Sequence, residues 1–275
     1  MTFSSLRASV PLLKRLFLAL LLVLPAYQTC QGQTLYEHSS ELLAARARQV
    51  LPDDYSFVVM GDSRDGERTF LQVLALARSY SPLFILHAGD YSNKGSEAET
   101  ANFLSLLRRS VPELPVFVVV GNHEEREVFA KEVGPLNFTL DIARLGLRLV
   151  ALDNADSALR PAEQERLRRE IASGPATVFV SMHVPPQTER WRGHTFTQGV
   201  EQLEKTLAGS RVQGLFFAHS HLYDRSEFAG IPAFITGGAG APLVWFTRHG
   251  VPVNHILLVR VKKGRASYRM VPLKG

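Results

Sequence analysis

Short apolar runs rich in Val, Ile, Leu and Phe recur along the chain, at 57–60, 83–86, 116–120, 147–152, 178–180 and 215–217. They end in Gly, Asp, Asn or His. Between several of them lie segments with the period of a helix, at 67–79, 96–110, 161–172 and 196–208. Continuous apolar runs mark strands buried on both faces, and their alternation with helices predicts a layered α/β domain. Pro161 suits the first turn of its helix, where the missing N–H is not needed. The segment 40–51 reads as an entry helix. Downstream the pattern changes: 228–236, 254–262 and 266–271 read as antiparallel strands separated by glycine turns. No repeat or low-complexity linker divides the sequence, and about 240 residues without hinge composition suggest one domain.

The N-terminus obeys a different rule. Residues 1–15 are basic, 16–24 (LFLALLLVL) is uninterruptedly apolar, and a polar stretch begins at Gln28. Such a run is short for a bilayer span and fits the core of a signal peptide. Residues 1–32 are therefore expected to be an export signal, 33–54 an N-terminal entry helix and 55–275 the main domain, in a periplasmic or secreted protein. Cys30, the one cysteine of the chain, is a weak match to a lipid-attachment site, because Tyr27, Gln28 and Thr29 precede it. A lone cysteine also excludes an internal disulfide framework and a cysteine-rich zinc site. The formal net charge is +5. Arg7, Lys14 and Arg15 contribute three of those charges and no Asp or Glu precedes Glu37, so +5 less three leaves +2 for the remainder. That balance makes no strong case for nucleic acid as a partner. No other stretch is apolar enough to be a transmembrane segment.

The residues just after each run carry the chemistry. Run 57–60 leads to Gly61-Asp62-Ser63-Arg64-Asp65, and 83–86 to His87-Ala88-Gly89-Asp90. Run 116–120 leads to Gly121-Asn122-His123-Glu124, 178–180 to Ser181-Met182-His183, and 215–217 to Ala218-His219-Ser220-His221. The carboxyl edge of an open α/β sheet is where ligands bind. Five loops thus bring Asp62, Asp90, Asn122, His183, His219 and His221 to one rim. Each alone has an ordinary reading, Asp and Asn as turn or cap residues and His183 as a core histidine; jointly they read as a metal site. Carboxylate, amide and imidazole donors suit Mn, Fe, Zn or Co.

These five motifs, in this order, resemble those of the calcineurin-like metallophosphoesterase superfamily over roughly 55–240. The resemblance implies a four-layer β-sandwich flanked by helices, with one or two divalent or transition metal ions at the strand ends. It implies a first metal on Asp62, Asp90 and His221, and a second on Asp90, Asn122, His183 and His219. It implies hydrolysis of a phosphomonoester or phosphodiester, with a metal-held hydroxide attacking phosphorus in line and His123 protonating the leaving oxygen. Two positions depart from the pattern: Ala218 replaces a glycine, and Arg64 replaces the first-motif histidine. A guanidinium stays protonated and is no metal ligand. Either the first metal is bound weakly, or Arg64 takes over part of its work by gripping phosphate oxygens; pairing with Asp65 or Asp90 is its plainer reading.

Other residues have plainer readings still. Glu124 orients a neighbour or is a solvated first-turn carboxylate. His87, His249 and His255 read as structural, and Asp153 and Asn154 as a turn. His194, near Trp191 and Arg192, either lies over the site or rides a mobile loop. The segment 237–242 (GGAGAP) lacks a following helix and reads as a tight turn near the metals rather than a dinucleotide fingerprint. The expected partner is a small or macromolecular phosphate ester. Two rival functions stand beside the hydrolase: a binding protein of the same fold with little or no turnover, and an exported nuclease.

Overall fold

The computed structural model describes Met1 and residues 32–274. The segment 2–31, which carries the signal-peptide reading and Cys30, lies outside the described residues. Helix α1 (Leu35–Ala47) opens the described chain with a capping box: Thr34 Oγ1 accepts the N–H of Glu37 at 3.2 Å, and Glu37 Oε2 accepts that of Thr34 at 2.9 Å. It lies several residues upstream of the expected 40–51, because this cap fixes its start. Strand β1 (Asp54–Met60), helix α2 (Glu67–Ser79), strand β2 (Ile85–His87), helix α3 (Glu97–Ser110) and strand β3 (Val116–Val118) follow. Helix α4 (Arg126–Glu132), strands β4 (Phe138–Ile142) and β5 (Leu147–Ala151), helix α5 (Pro161–Ala172) and strand β6 (Thr177–Ser181) come next. Helix α6 (Val200–Leu207) and strands β7 (Val212–Phe217), β8 (Tyr223–Phe228), β9 (Ile231–Thr236), β10 (His255–Lys262) and β11 (Arg265–Pro272) complete it.

The strands form two sheets, ordered β11-β10-β1-β2-β3 and β4-β5-β6-β7-β9-β8. In the first, β1, β2 and β3 are parallel and the C-terminal hairpin β10–β11 joins antiparallel to β1. In the second, β5, β6, β7 and β9 are parallel, with β4 and β8 as antiparallel edges.

Side-chain alternation makes the layers. From β1, Phe57 and Val59 meet Leu149, Phe179, Phe216 and Phe234 of the second sheet in the central core. Val58 and Met60, pointing the other way, pack on Phe70, Leu74 and Phe103 of α2 and α3. On the far side Val150, Val178, Val180, Leu215 and Phe217 pack on Leu167, Leu203 and Leu207 of α5 and α6. Helix, sheet, sheet, helix is the expected four-layer sandwich, and burial on both faces explains why the parallel strands read as continuous apolar runs.

The expected single strand 228–236 is instead the hairpin β8–β9, turning at Ala229 (φ 54°) and Gly230 (φ 76°). Its first strand, YDRSEF, is a half-exposed edge and carries no apolar run. Helix α6 is shorter than 196–208, and α4 and β4 have no counterpart in the pattern above; both are brief and β4 is an edge. Among the described residues, no helix is long and apolar enough to cross a membrane.

Candidate metal centre

The parallel strands of both sheets end at one edge, and the turns after them carry the candidate donors. Asp62, Asp90 and His219 all have left-handed backbones, with φ of 58°, 60° and 65°. Non-glycine residues adopt this region at a cost, and strain of this kind gathers where side chains are aimed for function. Asp62 and Asp90 are held together through the backbone: the amide of Asp62 donates to the carbonyl of Gly89 at 2.9 Å, and that of Ser63 to the carbonyl of Asp90 at 3.0 Å.

The donor atoms of Asp90, His183 and His219 lie within 4.8 Å of one another. His183 Nε2 is 3.3 Å from Asp90 Oδ1, 3.2 Å from His219 Nδ1 and 3.0 Å from Asn122 Oδ1. Its other nitrogen, Nδ1, faces the Ala88 carbonyl at 2.8 Å and must donate to it. That fixes the tautomer and turns Nε2 toward the cluster, the usual support for a metal-ligating histidine. Two oxygen acceptors then confront one ring nitrogen. The arrangement is favourable only with a positive centre among them, either a proton on Nε2 or a metal ion. Without a metal the proton serves: burial disfavours the imidazolium of His183, but Asp90 and Asp62 outweigh it and lift its pKa to about 9. Burial alone would raise the carboxyl of Asp90, yet His183 and His123 hold it below the carboxylate range. Burial and the neighbouring His183 bring His219 down to about 3, so it stays neutral and able to ligate.

Asp62 supplies a second sign of a cation. It is fully buried, and neither carboxylate oxygen has a hydrogen-bond partner; the His219 amide lies near without reaching bonding geometry. Burial, opposed by His183 and reinforced by Asp90, pushes its pKa up to about 8. A buried carboxylate without partners is costly, and a metal ion offsets that cost. The donor chemistry therefore fits a divalent ion. Asp62 and His221 stand outside the tight group formed by Asp90, His183 and His219. His221 Nδ1 donates to the Pro242 carbonyl at 2.8 Å, and burial lowers its pKa.

The surroundings hold residues whose roles the sequence pattern left open or did not convey. Glu124 is buried rather than solvated. Its carboxylate accepts the amides of Asp90 (2.9 Å), Tyr91 (3.1 Å), Ser92 (3.2 Å) and Gly121 (2.8 Å), and the Ser92 hydroxyl (3.0 Å). It ties the turns after β2 and β3 together. Asn154 is more than a turn residue: its Oδ1 accepts the amides of His183 and Val184, both at 3.0 Å, and its Nδ2 donates to Val184 O at 2.7 Å. The only sequence signal for it is its place after the β5 run. The glycine segment does pass close to the site, since a Cβ on Gly237 would stand 2.1 Å from Asp62 Oδ2. His87 is buried and donates from Nε2 to Ser63 Oγ at 2.9 Å.

Arg64 pairs with Asp65 (2.9 Å) and Asn93 (3.0 Å) through Nη1, and its buried Nε has no partner. It lines a cleft of ≈ 790 Å³ that opens over Asp90, Asn122, His123, His219 and His221. His123 Nδ1 faces the Asn93 carbonyl at 2.8 Å, while Nε2 lies 3.9 Å from Asp90 Oδ2. His194 stands over the centre, its ring 5.7 Å from that of His219. Its loop is pinned by Asp224, a buried carboxylate that takes two bonds from Arg190 (2.9 and 2.7 Å) and one from Trp191 Nε1 (2.9 Å).

A family model described as calcineurin-like phosphoesterase matches residues 55–223. No curated protein matches the sequence. Solved structures of similar fold include GAP50, the anchor in the inner membrane complex of Plasmodium (TM-score 0.62, 10% identity, 81% of this chain and 85% of that one). Purple acid phosphatase PPD1 from yellow lupin seeds is similar (0.61, 12%, 79% and 51%), as is a dimetal phosphatase from Danio rerio (0.57, 12%, 80% and 99%). At these identities the likeness speaks for the fold.

Proposed function

The chain belongs to the calcineurin-like phosphoesterase family, and on that premise we propose that it is a metal-dependent hydrolase of phosphate esters acting at the edge where Asp62, Asp90, Asn122, His183, His219 and His221 gather. The observation that carries this reading is the convergence on His183 Nε2 of Asn122 Oδ1 (3.0 Å), His219 Nδ1 (3.2 Å) and Asp90 Oδ1 (3.3 Å), beside the unpartnered carboxylate of Asp62. Asp90, Asn122, His183 and His219 would hold one divalent ion. Bound there, the ion supplies Lewis acidity toward phosphoryl oxygens and lowers the pKa of water.

The remaining work falls to protein groups. Arg64, at the cleft wall, grips a phosphoryl oxygen and supplies positive charge beside Asp62 and His221. That role explains an arginine where the family pattern has a histidine ligand. His123 is the acid in its imidazolium form: Nδ1–H stays donated to the Asn93 carbonyl, and Nε2–H passes its proton to the leaving oxygen, leaving the neutral ring. Asn154 and Glu124 keep His183 and Asp90 in place.

Turnover of p-nitrophenyl phosphate and bis-p-nitrophenyl phosphate with added Mn²⁺ tests the reading. Hydrolysis that is abolished in Asp90→Ala and reduced about 10²-fold or more in His123→Asn is expected. Bound metal without turnover of either ester would favour the rival, a binding protein of the same fold. Arg64→His separates the roles of Arg64: a gain in bound metal per chain is expected, because an imidazole restores a ligand.

A further inference from the structure

One wall of the cleft is the segment 242–253, from which Val244, Phe246, Thr247, Arg248 and His249 line it. The segment is fixed at both ends. The Val244 amide donates to the His221 carbonyl at 3.2 Å, and Val251 pairs with Tyr223 in both directions at 2.7 and 2.9 Å. Its tip nevertheless leaves apolar surface in water. Trp245 is fully exposed, Phe246 is 85% exposed, and Val251 is 49% exposed. Adjacent aromatic side chains held out of a packed surface mark a site of interaction. Phe246 faces the cleft but Trp245 does not line it. A small leaving group inside the cleft would cover Phe246 and leave Trp245 in water. A partner that covers both aromatic rings extends beyond the mouth.

Charge identifies its kind. No Asp or Glu occurs after Glu227 in the sequence, and Arg248 is the one charged residue of 242–253. Arg192 faces the same cleft from the other wall. Glu189 and the Arg190-paired Asp224 lie on that other wall, but the tip itself carries tryptophan and phenylalanine beside arginine and no carboxylate, the composition of an interfacial anchor on anionic lipid. We propose that the tip of 242–253 docks on an anionic phospholipid bilayer, with Trp245 and Phe246 among the headgroups and the cleft mouth against the surface. The phosphate esters presented to the cleft are then carried by amphiphiles. This substrate class rests on the hydrolase reading above; the docking itself does not.

The test uses the full chain with vesicles of phosphatidylcholine, with or without phosphatidylglycerol, whose acyl chains are brominated to quench tryptophan. Trp191 is buried, so quenching reports Trp245 even where the apolar segment 16–24 binds the vesicle by itself. Quenching and a blue shift are expected with the anionic vesicles. Trp245→Ala is expected to lose the quenching and about tenfold of the vesicle affinity, the factor for one aromatic side chain that no longer leaves water. Its p-nitrophenyl phosphate turnover stays unchanged. Unquenched emission on anionic vesicles, or quenching that survives Trp245→Ala, overturns the proposal, and equal quenching on phosphatidylcholine alone overturns its anionic part. Quenching without any ester turnover leaves the docking standing and removes the hydrolase reading.

Discussion

Nε2 of His183 lies 3.2 Å from Nδ1 of His219, with its own Nδ1 committed to the Ala88 carbonyl. In the metal-free protein His183 is protonated at neutral pH, because the Asp90 carboxylate outweighs burial and, with Asp62 once that ionises near 8, raises it to about 9. A metal ion on Nε2 must displace that proton. Titration calorimetry of Mn²⁺ binding at pH 7, repeated in buffers of different ionisation enthalpy, should show about one proton released per ion. Below pH 9 the proton competes with the metal, so apparent affinity falls as pH falls, by about tenfold per unit. Binding that is independent of pH between 6 and 8 would contradict this assignment.

Glu124 is the clamp between the Asp90 and Asn122 turns. Glu124→Ala leaves four backbone amides without their acceptor, while the Ser92 hydroxyl keeps only the His123 carbonyl at 3.3 Å. A loss of about 3 kcal/mol or more in denaturant unfolding is expected, with Glu124→Gln intermediate because one carbonyl oxygen remains. A loss within about 0.5 kcal/mol would mean the turns hold without it.

Two glycines separate close approach from backbone freedom. A Cβ at Gly237 would stand 2.1 Å from Asp62 Oδ2 and 2.3 Å from the Ser220 carbonyl, so Gly237→Ala should lose bound metal. Gly230, at φ 76° with open space around it, should keep the metal on substitution by Ala and lose only about 1 kcal/mol of stability. Elemental analysis of both variants checks this; retained metal in Gly237→Ala would show that the turn can yield.

His255, buried behind the glycine segment, donates from Nδ1 to the Val253 carbonyl at 2.8 Å and faces Thr236 Oγ1 at 3.1 Å. Burial lowers its pKa to about 4. The unfolded chain titrates near pH 6.5 and so binds the extra proton first; stability is present above that pH and is lost as pH falls toward 4. The slope is about 1.4 kcal/mol per pH unit for this one group. Unfolding of the metal-free protein at pH 7, 6 and 5 should show it, and His255→Gln should flatten the profile by that amount. An unchanged slope would place the acid sensitivity elsewhere.

Burial on both faces made the central strands legible as apolar runs, and loops at strand ends gave the six candidate donors their common edge. Edge elements escaped for the same physical reason: β8 (YDRSEF) is half exposed and carries no run. For Glu124 the sequence left a neighbour-orienting role and a solvated one open, and for Asn154 it gave only a turn, because the partners that decide both lie 33 and 29 residues away at Tyr91 and His183. Arg64 was legible as a departure, but its pairing with Asp65 and Asn93 appeared only in three dimensions.

A metal-dependent phosphoesterase built on Asp90, Asn122, His183 and His219 must hold its ion and turn over esters with the same residues. Elemental analysis of the Mn²⁺-loaded protein, with bis-p-nitrophenyl phosphate turnover measured on the same sample, tests this most directly. About one tightly held metal per chain with turnover, both lost in Asp90→Ala, is the expected result. No bound metal and no turnover after loading would contradict it.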